Sequence, residues 1–291
     1  MIERLRPLFI LLAVLAAVGQ TACGPASVQP TAWLATATAA PPTRLPPTAT
    51  PGPVPEGPCA NPLLPLLPGT TWTYASIGTA RPSRVEIYVT SVSASQADLQ
   101  ILEVNQGLAA QATAGCADGA IIDFPPVFFS LLLADIMNAY VSTETLYGAY
   151  APSKGTLVKN NWVYLWNRVE LTQEGVKITP PGSSDEIYTS VNREVLVTTK
   201  ISPAPESIAV PAGTYPQAVR ASQVVKVPVT RLTATGNEDG VLTVEFSQWY
   251  EPYVGLLKMQ VENAGLSFDS GANIPMAVKA AIALTHFQPG K

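Results

Sequence analysis

Charge is scarce in this chain and histidine scarcer. Asp, Glu, Lys and Arg make up 13% of the 291 residues, the formal net charge is −4, and the single histidine is His286. No stretch gathers Lys and Arg into a basic patch, which excludes the electrostatic footprint of nucleic-acid binding. Metal-ligand spacing is missing too: there is no HxxxH, no CxxC and no Asp-rich calcium loop. Nor is there a GxSxG elbow, an SxxK pair or a phosphate-cradling glycine loop. The expectation is therefore no cofactor, no metal and no catalytic residue. His286 sits beside Phe287 near the C-terminus, with no sequence partner for acid–base chemistry.

Apolar runs of membrane-spanning length are lacking at the N-terminus. Leu8–Val18 is unbroken but only 11 residues long, whereas a spanning helix needs about 20. Arg4 and Arg6 precede it and small or polar residues follow, which is the layout of an export signal over 1–22. Cys23 comes directly after, in AVGQTACG. This placement resembles the lipobox of bacterial lipoproteins, in which the Cys carries a thioether-linked diacylglycerol. Ala22 and Gly24 match the small-residue requirement, and Gln20 departs from the usual branched aliphatic residue. The alternative is ordinary cleavage, for instance after Gly19, giving a soluble secreted chain.

Residues 24–58 hold ten Pro and six Thr, with only Arg44 and Glu56 charged. Such a segment buries too little apolar surface to offset its ordering entropy, so 23–58 is expected to be a disordered tether behind a lipidated Cys23. Proline favours extended polyproline II, and at ~3.1 Å per residue the full reach is on the order of 100 Å.

Export changes the meaning of the cysteines. With Cys23 lipidated, Cys59 and Cys116 remain, and an oxidising compartment pairs them. Two unpaired thiols are the alternative.

Residues 59–291 are enough for one domain with a real core. Helical periodicity is rare there, and alternation is common. RVEIYVTSV (84–92) sets Val85, Ile87 and Val89 on one face, and EVLVTTKI (194–201) and VLTVEFSQW (241–249) read alike. VPAG (210–213) reads as a turn before a further strand, TGNEDG (235–240) as a hairpin loop, and YEPYVG (250–255) as a break between strands. The exception is 123–140, DFPPVFFSLLLADIMNAY, which predicts a buried helix with Asp123 near its cap and Pro125 and Pro126 in its first turn. It either packs as solid core or lines an apolar cavity. The fold class expected is mainly β, a strongly curved antiparallel sheet (half-barrel or open barrel) with one buried apolar helix near 125–140. A short echo, Trp72-x-Tyr74 and Trp162-x-Tyr164, admits two sheet-forming halves or chance.

CANPLLPLLPGTTWTYAS, the later CADGAI, then VPAGTYPQAVR and WYEPYVGLLKMQ together resemble a group of uncharacterised bacterial envelope lipoproteins. The pattern is also similar to periplasmic domains with a strongly curved antiparallel sheet, distantly like lipoprotein carriers in shape. The resemblance implies a fold and no activity. Its motif residues here, Trp72, Tyr74, Gly213, Tyr215, Trp249 and Gly255, read as turn and core positions.

Two readings attach to the aromatics. Trp72, Tyr74, Phe128, Phe129, Trp162, Trp166 and Trp249 are either core or the lining of a groove for an acyl chain. Among carboxylates, Asp185–Glu186 and Glu238–Asp239 are adjacent pairs that read as solvated turns, and Asp123 and Asp135 flank the predicted helix. The functional expectation is a membrane-anchored lipoprotein of the cell envelope, its domain on the extracytoplasmic side. The domain would bind an apolar ligand or an envelope protein without catalysis. An assembly module without a small ligand is the alternative, and a cell-wall glycan hydrolase the second.

Overall fold

The computed structural model describes residues 56–79, 82–105, 107–133, 144–153, 161–167, 177–180, 182–190, 194–202 and 204–291, within the compact unit Leu45–Lys291. The side chains of 130, 144–146, 161–167 and 194 are not among those described. The export signal, Cys23, nearly all of the tether and residues 134–140 of the predicted helix lie outside the described residues.

Alternating sequences become strands because each buries every second side chain. In chain order the first five are β1 (Thr71–Ile77), β2 (Arg84–Val92), β3 (Gln96–Glu103), β4 (Leu108–Ala117) and β5 (Ala120–Asp123). The helix α1 (Val127–Leu132) follows, then β6 (Glu144–Tyr147), β7 (Asn161–Asn167), β8 (Lys177–Ile178), β9 (Glu186–Thr189) and β10 (Glu194–Ile201). The last six are β11 (Glu206–Val210), β12 (Gly213–Thr233), β13 (Gly236–Glu251), β14 (Gly255–Phe268), β15 (Asn273–Pro275) and β16 (Ala281–Gln288).

All strand pairings are antiparallel, and the main sheet runs β5-β4-β3-β2-β1-β16-β14-β13-β12-β10-β7-β6, with β8, β9, β11 and β15 added beside it. The sheet is curled into a half-barrel. Val85, Ile87 and Val89 are buried together, as their alternation predicts. One sheet holds both Trp-x-Tyr strands, β1 and β7, so the echo does not mark two separate halves.

The β16 strand closes the fold in sequence terms. It inserts the C-terminus between β1 and β14, so the first and last strands of the chain are neighbours. The disulfide Cys59–Cys116 is formed, with Cα atoms 5.1 Å apart and a sequence separation of 57. It ties the point where the proline-rich stretch ends to the C-terminal end of β4.

Two local expectations need correction. Asp123 ends β5 and does not cap the helix: the residue before α1 is Pro126, which makes no side-chain cap bond. The described helix, Val127–Leu132 with Leu133 at its end, fits the buried apolar helix expected near 125–140. TGNEDG is not a loop, since β12 runs to Thr233 and β13 starts at Gly236, leaving a two-residue connection. Cross-strand pairing with β12 holds Glu238 and Asp239 in extended backbone.

Candidate functional site

The sheet face that carries α1 is the best-defined interior surface. Alternation and pairing identify its residues. Phe128 of α1 meets Tyr74 edge-on at 4.9 Å between ring centroids, and Phe129 meets Phe246 at 5.9 Å. Phe124 stacks on Phe128 at 6.0 Å and lies 5.1 Å from the Tyr150 ring. Such pairs add about 0.5–1.5 kcal/mol each beyond the area they bury. Along Val127–Leu132 the rings of helix and sheet are in direct contact, so the helix packs as core there.

Beside this aromatic wall runs a track of buried polar side chains. Gln223 lies directly opposite Phe246 across the β12–β13 ladder and opposite Thr199 across β10–β12. Gln248 and Tyr250 follow Phe246 at period two on the same face. The Tyr250 hydroxyl donates to Gln248 Oε1 at 3.0 Å, and Gln248 Nε2 donates to Gln223 Oε1 at 3.1 Å. Gln223 Nε2 in turn donates to Thr199 Oγ1 at 3.3 Å. A second contact of Gln248 Nε2 goes to the Met259 sulfur at 3.5 Å, a weak acceptor. Gln248 is only 2% exposed and Thr199 fully buried. Amides at such positions are costly unless bonded, and here they bond chiefly to each other.

The sequence aromatics divide among these surfaces. Trp72 and Tyr74 are each 1% exposed and share a face, as period two requires. Phe128 and Phe129 join Tyr74 in the interior. Trp249 is half-buried and does not join them: it lies between Gln248 and Tyr250, so it points to the opposite face. There the Arg220 guanidinium lies 5.4 Å and the Lys258 ammonium 5.2 Å from its ring, and its indole N–H donates to Glu206. Trp162 and Trp166 are on β7, and their side chains lie outside the described residues.

Ionisation follows burial. The Tyr74 hydroxyl is pushed well above its ordinary value by burial, then by the neighbouring Tyr150 and Tyr215, and burial likewise raises Tyr150. Tyr215 is pushed up to about 12 by burial and by Glu251. Burial raises the Glu251 carboxyl, whose Oε2 is buried without a hydrogen-bond partner. None of these tyrosines is poised to act as an acid or base near neutrality.

Other polar groups are structural. Glu238, read from sequence as a solvated turn, pairs with Arg231 at 2.5 Å and accepts from the Ser270 amide at 2.9 Å. Hydrogen bonds from Ser270, then Arg231, hold its carboxyl at about 2. Arg231 also lies 4.2 Å from the Phe268 ring centroid. On the outer side, Ser190, Pro228, Val241, Asp239, Ser267 and Asp269 border an open cleft of about 310 Å³. Among the described residues no group of three His, Cys, Asp or Glu side chains could hold a metal ion. His286 is exposed on β16.

Two features escaped the sequence reading. Gln223 and Gln248 carry a faint signal, as polar residues in the buried phase of alternating strands. Asn61, in the CANP stretch, is fully buried. Its Nδ2 donates to the carbonyls of Gly119 at 3.0 Å, Ala151 at 3.2 Å and Pro152 at 2.9 Å. Its Oδ1 accepts from the Leu63 and Leu64 amides. Only the turn chemistry of Asn before Pro hinted at a special role.

No protein-family model and no curated protein matches this chain. Two solved structures align with it at 14% identity over 78% of its length. A candidate lipoprotein from Parabacteroides distasonis is covered over 99% of its own chain, with a TM-score of 0.38. A candidate exported protein with a YmcC-like fold, from Bacteroides fragilis, is covered over 98%, with a TM-score of 0.37. At these scores neither carries an inference about what this chain does.

Proposed function

We propose that this chain is a lipoprotein of the bacterial cell envelope, held to the membrane through Cys23, whose half-barrel binds an apolar ligand without catalysing a reaction. The observation that carries the ligand reading is the aromatic wall of Tyr74, Phe128, Phe129 and Phe246 beside the buried track Thr199–Gln223–Gln248–Tyr250. Sites for small molecules combine mostly apolar walls with a few fixed polar groups. An acyl chain with a polar end has that chemistry. Since α1 fills the space beneath itself, the ligand's place in this reading is along the amide track. Cys23 follows an export-type segment, and the proline-rich stretch behind it is long enough to hold the domain clear of the membrane.

Two experiments test the reading. Metabolic labelling with a fatty-acid analogue should mark the wild type and not Cys23→Ala; label persisting in the variant means Cys23 is not the site. Native mass spectrometry of full-length Cys23→Ser should show a bound species of lipid mass that Gln248→Leu loses. A bare chain mass in both proteins sinks the ligand reading.

A second reading, an assembly module with a protein partner, draws on a different observation. Ile77, Val104 and Leu108 are 52%, 41% and 51% exposed. They end β1, follow β3 and begin β4, which puts all three at the sheet end opposite Cys116. Exposed apolar residues grouped in this way suit a protein contact.

A further inference from the structure

Strand β4 is a sheet edge over most of its length. On one side it pairs with β3 from Leu108 to Gly115 without a register shift. On the other, among the described residues, only Gly115, Cys116 and Ala117 pair with β5, which leaves 108–114 with no strand there. Leu108, Ala109, Ala110, Gln111 and Thr113 are exposed to solvent, so this edge is open as well as unpaired. Native sheets blunt such edges with Lys, Pro or a bulge, because a bare edge is a template for another strand. Residues 104–115, VNQGLAAQATAG, contain no charge and no Pro.

The ladder fixes which backbone groups face outward. The Cys116 amide donates to Ser95 O at 2.8 Å. Bonded and non-bonded pairs alternate along an antiparallel ladder, so Cys116 and every second residue before it bond toward β3. The N–H and C=O of Ala109, Gln111 and Thr113 therefore point away from the sheet. This arrangement is self-complementary. An antiparallel copy laid against it with Gln111 facing Gln111 sets each Ala109 against the other copy's Thr113, and every outward group is bonded. A slip of two residues in one direction puts Thr113 against Gly107, which is in the hairpin turn. A slip in the other puts Ala109 against Gly115, which already pairs with Asp123 of β5. The non-bonded pairs of the symmetric register are Ala110 with Ala112 and Leu108 with Ala114. Small side chains suit the ~4.5 Å approach of Cα atoms in such pairs.

We propose that the 108–114 edge of β4 binds a second copy of this chain by antiparallel strand addition, two-fold symmetric about Gln111, so that one sheet runs through both copies. A two-fold contact needs a self-complementary surface. This edge provides one in its backbone register, and it carries no charge to repel its own image. Leu108, 51% exposed, gains Ala114 of the other copy as a neighbour. A single strand edge buries less than the ~1,200 Å² of a standard interface, so the dimer is reversible and concentration-dependent. The contact does not depend on the ligand reading above.

The test uses the full chain with Cys23→Ser, in which Cys59 and Cys116 are bonded to each other and an added cysteine is the sole thiol. Gln111→Cys places two thiols on the two-fold axis, where Cα atoms of a bonded pair lie ~5.5 Å apart, within disulfide reach. Gln100→Cys is the control. Gln100 is exposed on β3 directly opposite Gln111, and its image in the other copy lies three strand spacings away, roughly 14 Å. Under mild oxidation Gln111→Cys should form the covalent dimer at least about tenfold faster than Gln100→Cys. Equal rates, or no dimer from Gln111→Cys, overturns the proposal. Sedimentation equilibrium in the same background tests the register. Ala109→Lys with Thr113→Lys sets like charges opposite each other and should raise the dimer dissociation constant at least about tenfold. Ala109→Lys with Thr113→Glu sets opposite charges there and should restore it. Both positions are exposed, so neither pair of substitutions disturbs the core. Equal affinity in the two double variants, or a monomer at every concentration in the parent chain, overturns the proposal as well.

Discussion

The Trp72 indole donates to the backbone carbonyl of Val254 at 2.6 Å, across 182 residues of sequence. Two residues on in each strand, the Tyr74 hydroxyl donates to the Leu256 carbonyl at 3.0 Å. Strand β16 lies between β1 and β14 in the sheet order. These side chains thus join two strands that are not neighbours, at the point where β14 begins. Both acceptors belong to buried residues. Removing a donor there leaves a carbonyl without its bond. Trp72→Phe should lower stability by about 2–4 kcal/mol, from the orphaned carbonyl and the vacated volume. Tyr74→Phe, which removes one hydroxyl, should lose about 1–2 kcal/mol. Denaturant unfolding measures both, and a smaller loss for Trp72→Phe than for Tyr74→Phe would contradict the assignment.

Between those two acceptors stands Gly255, with φ at +110° and a hypothetical Cβ only 3.0 Å from the Trp72 indole nitrogen. Both the backbone and the ring need a glycine. Gly255→Ala should cost more than about 1 kcal/mol, read as a lowered denaturation midpoint. A neutral result would mean that the turn relaxes away from Trp72.

Cys59–Cys116 closes a loop with a sequence separation of 57. In the chain-entropy picture such a crosslink stabilises by ~4 kcal/mol. The double variant, Cys59→Ala with Cys116→Ala, should therefore unfold at clearly lower denaturant concentration. A midpoint unchanged from the wild type would show that the loop is held as well without the bond.

Glu238 and Glu251 should give opposite pH signatures. The Glu238 carboxyl lies at about 2, below its ordinary value. A depressed folded value contributes stability above the unfolded value and loses it as pH falls toward about 2. Glu238→Gln should flatten that acid slope. Burial raises Glu251, so the folded state prefers its protonated form, and stability falls as pH rises past the ordinary carboxylate value. Glu251→Gln should raise the unfolding midpoint at about pH 7 and leave it nearly unchanged at acid pH. A destabilised Glu251→Gln at neutral pH would show that the charge has a partner.

Several elements were legible from local pattern. RVEIYVTSV and EVLVTTKI are β2 and β10 to the residue, because alternation is a property of each strand alone. The pairing of Cys59 with Cys116 followed from parity in an oxidising compartment. NEDG was misread because turn-forming residues also fit a strand when Arg231 and Ser270 bind Glu238 from elsewhere. Gln223 and Gln248 were missed for a similar reason: a glutamine in the buried phase gains its meaning from a neighbour on another strand.

The sequence by itself determined the class of the fold, the likeness to an exported and lipidated chain, and which residues of each strand turn inward. All of these rest on interactions within a few residues or on composition. Only the tertiary structure decided that Trp249 faces away from Trp72 and Tyr74, that the amides form one track, and that Asn61 donates to the carbonyls of Gly119, Ala151 and Pro152. Those depend on register and sheet curvature, which bring residues far apart in the chain within hydrogen-bond reach. No local pattern encodes that distance.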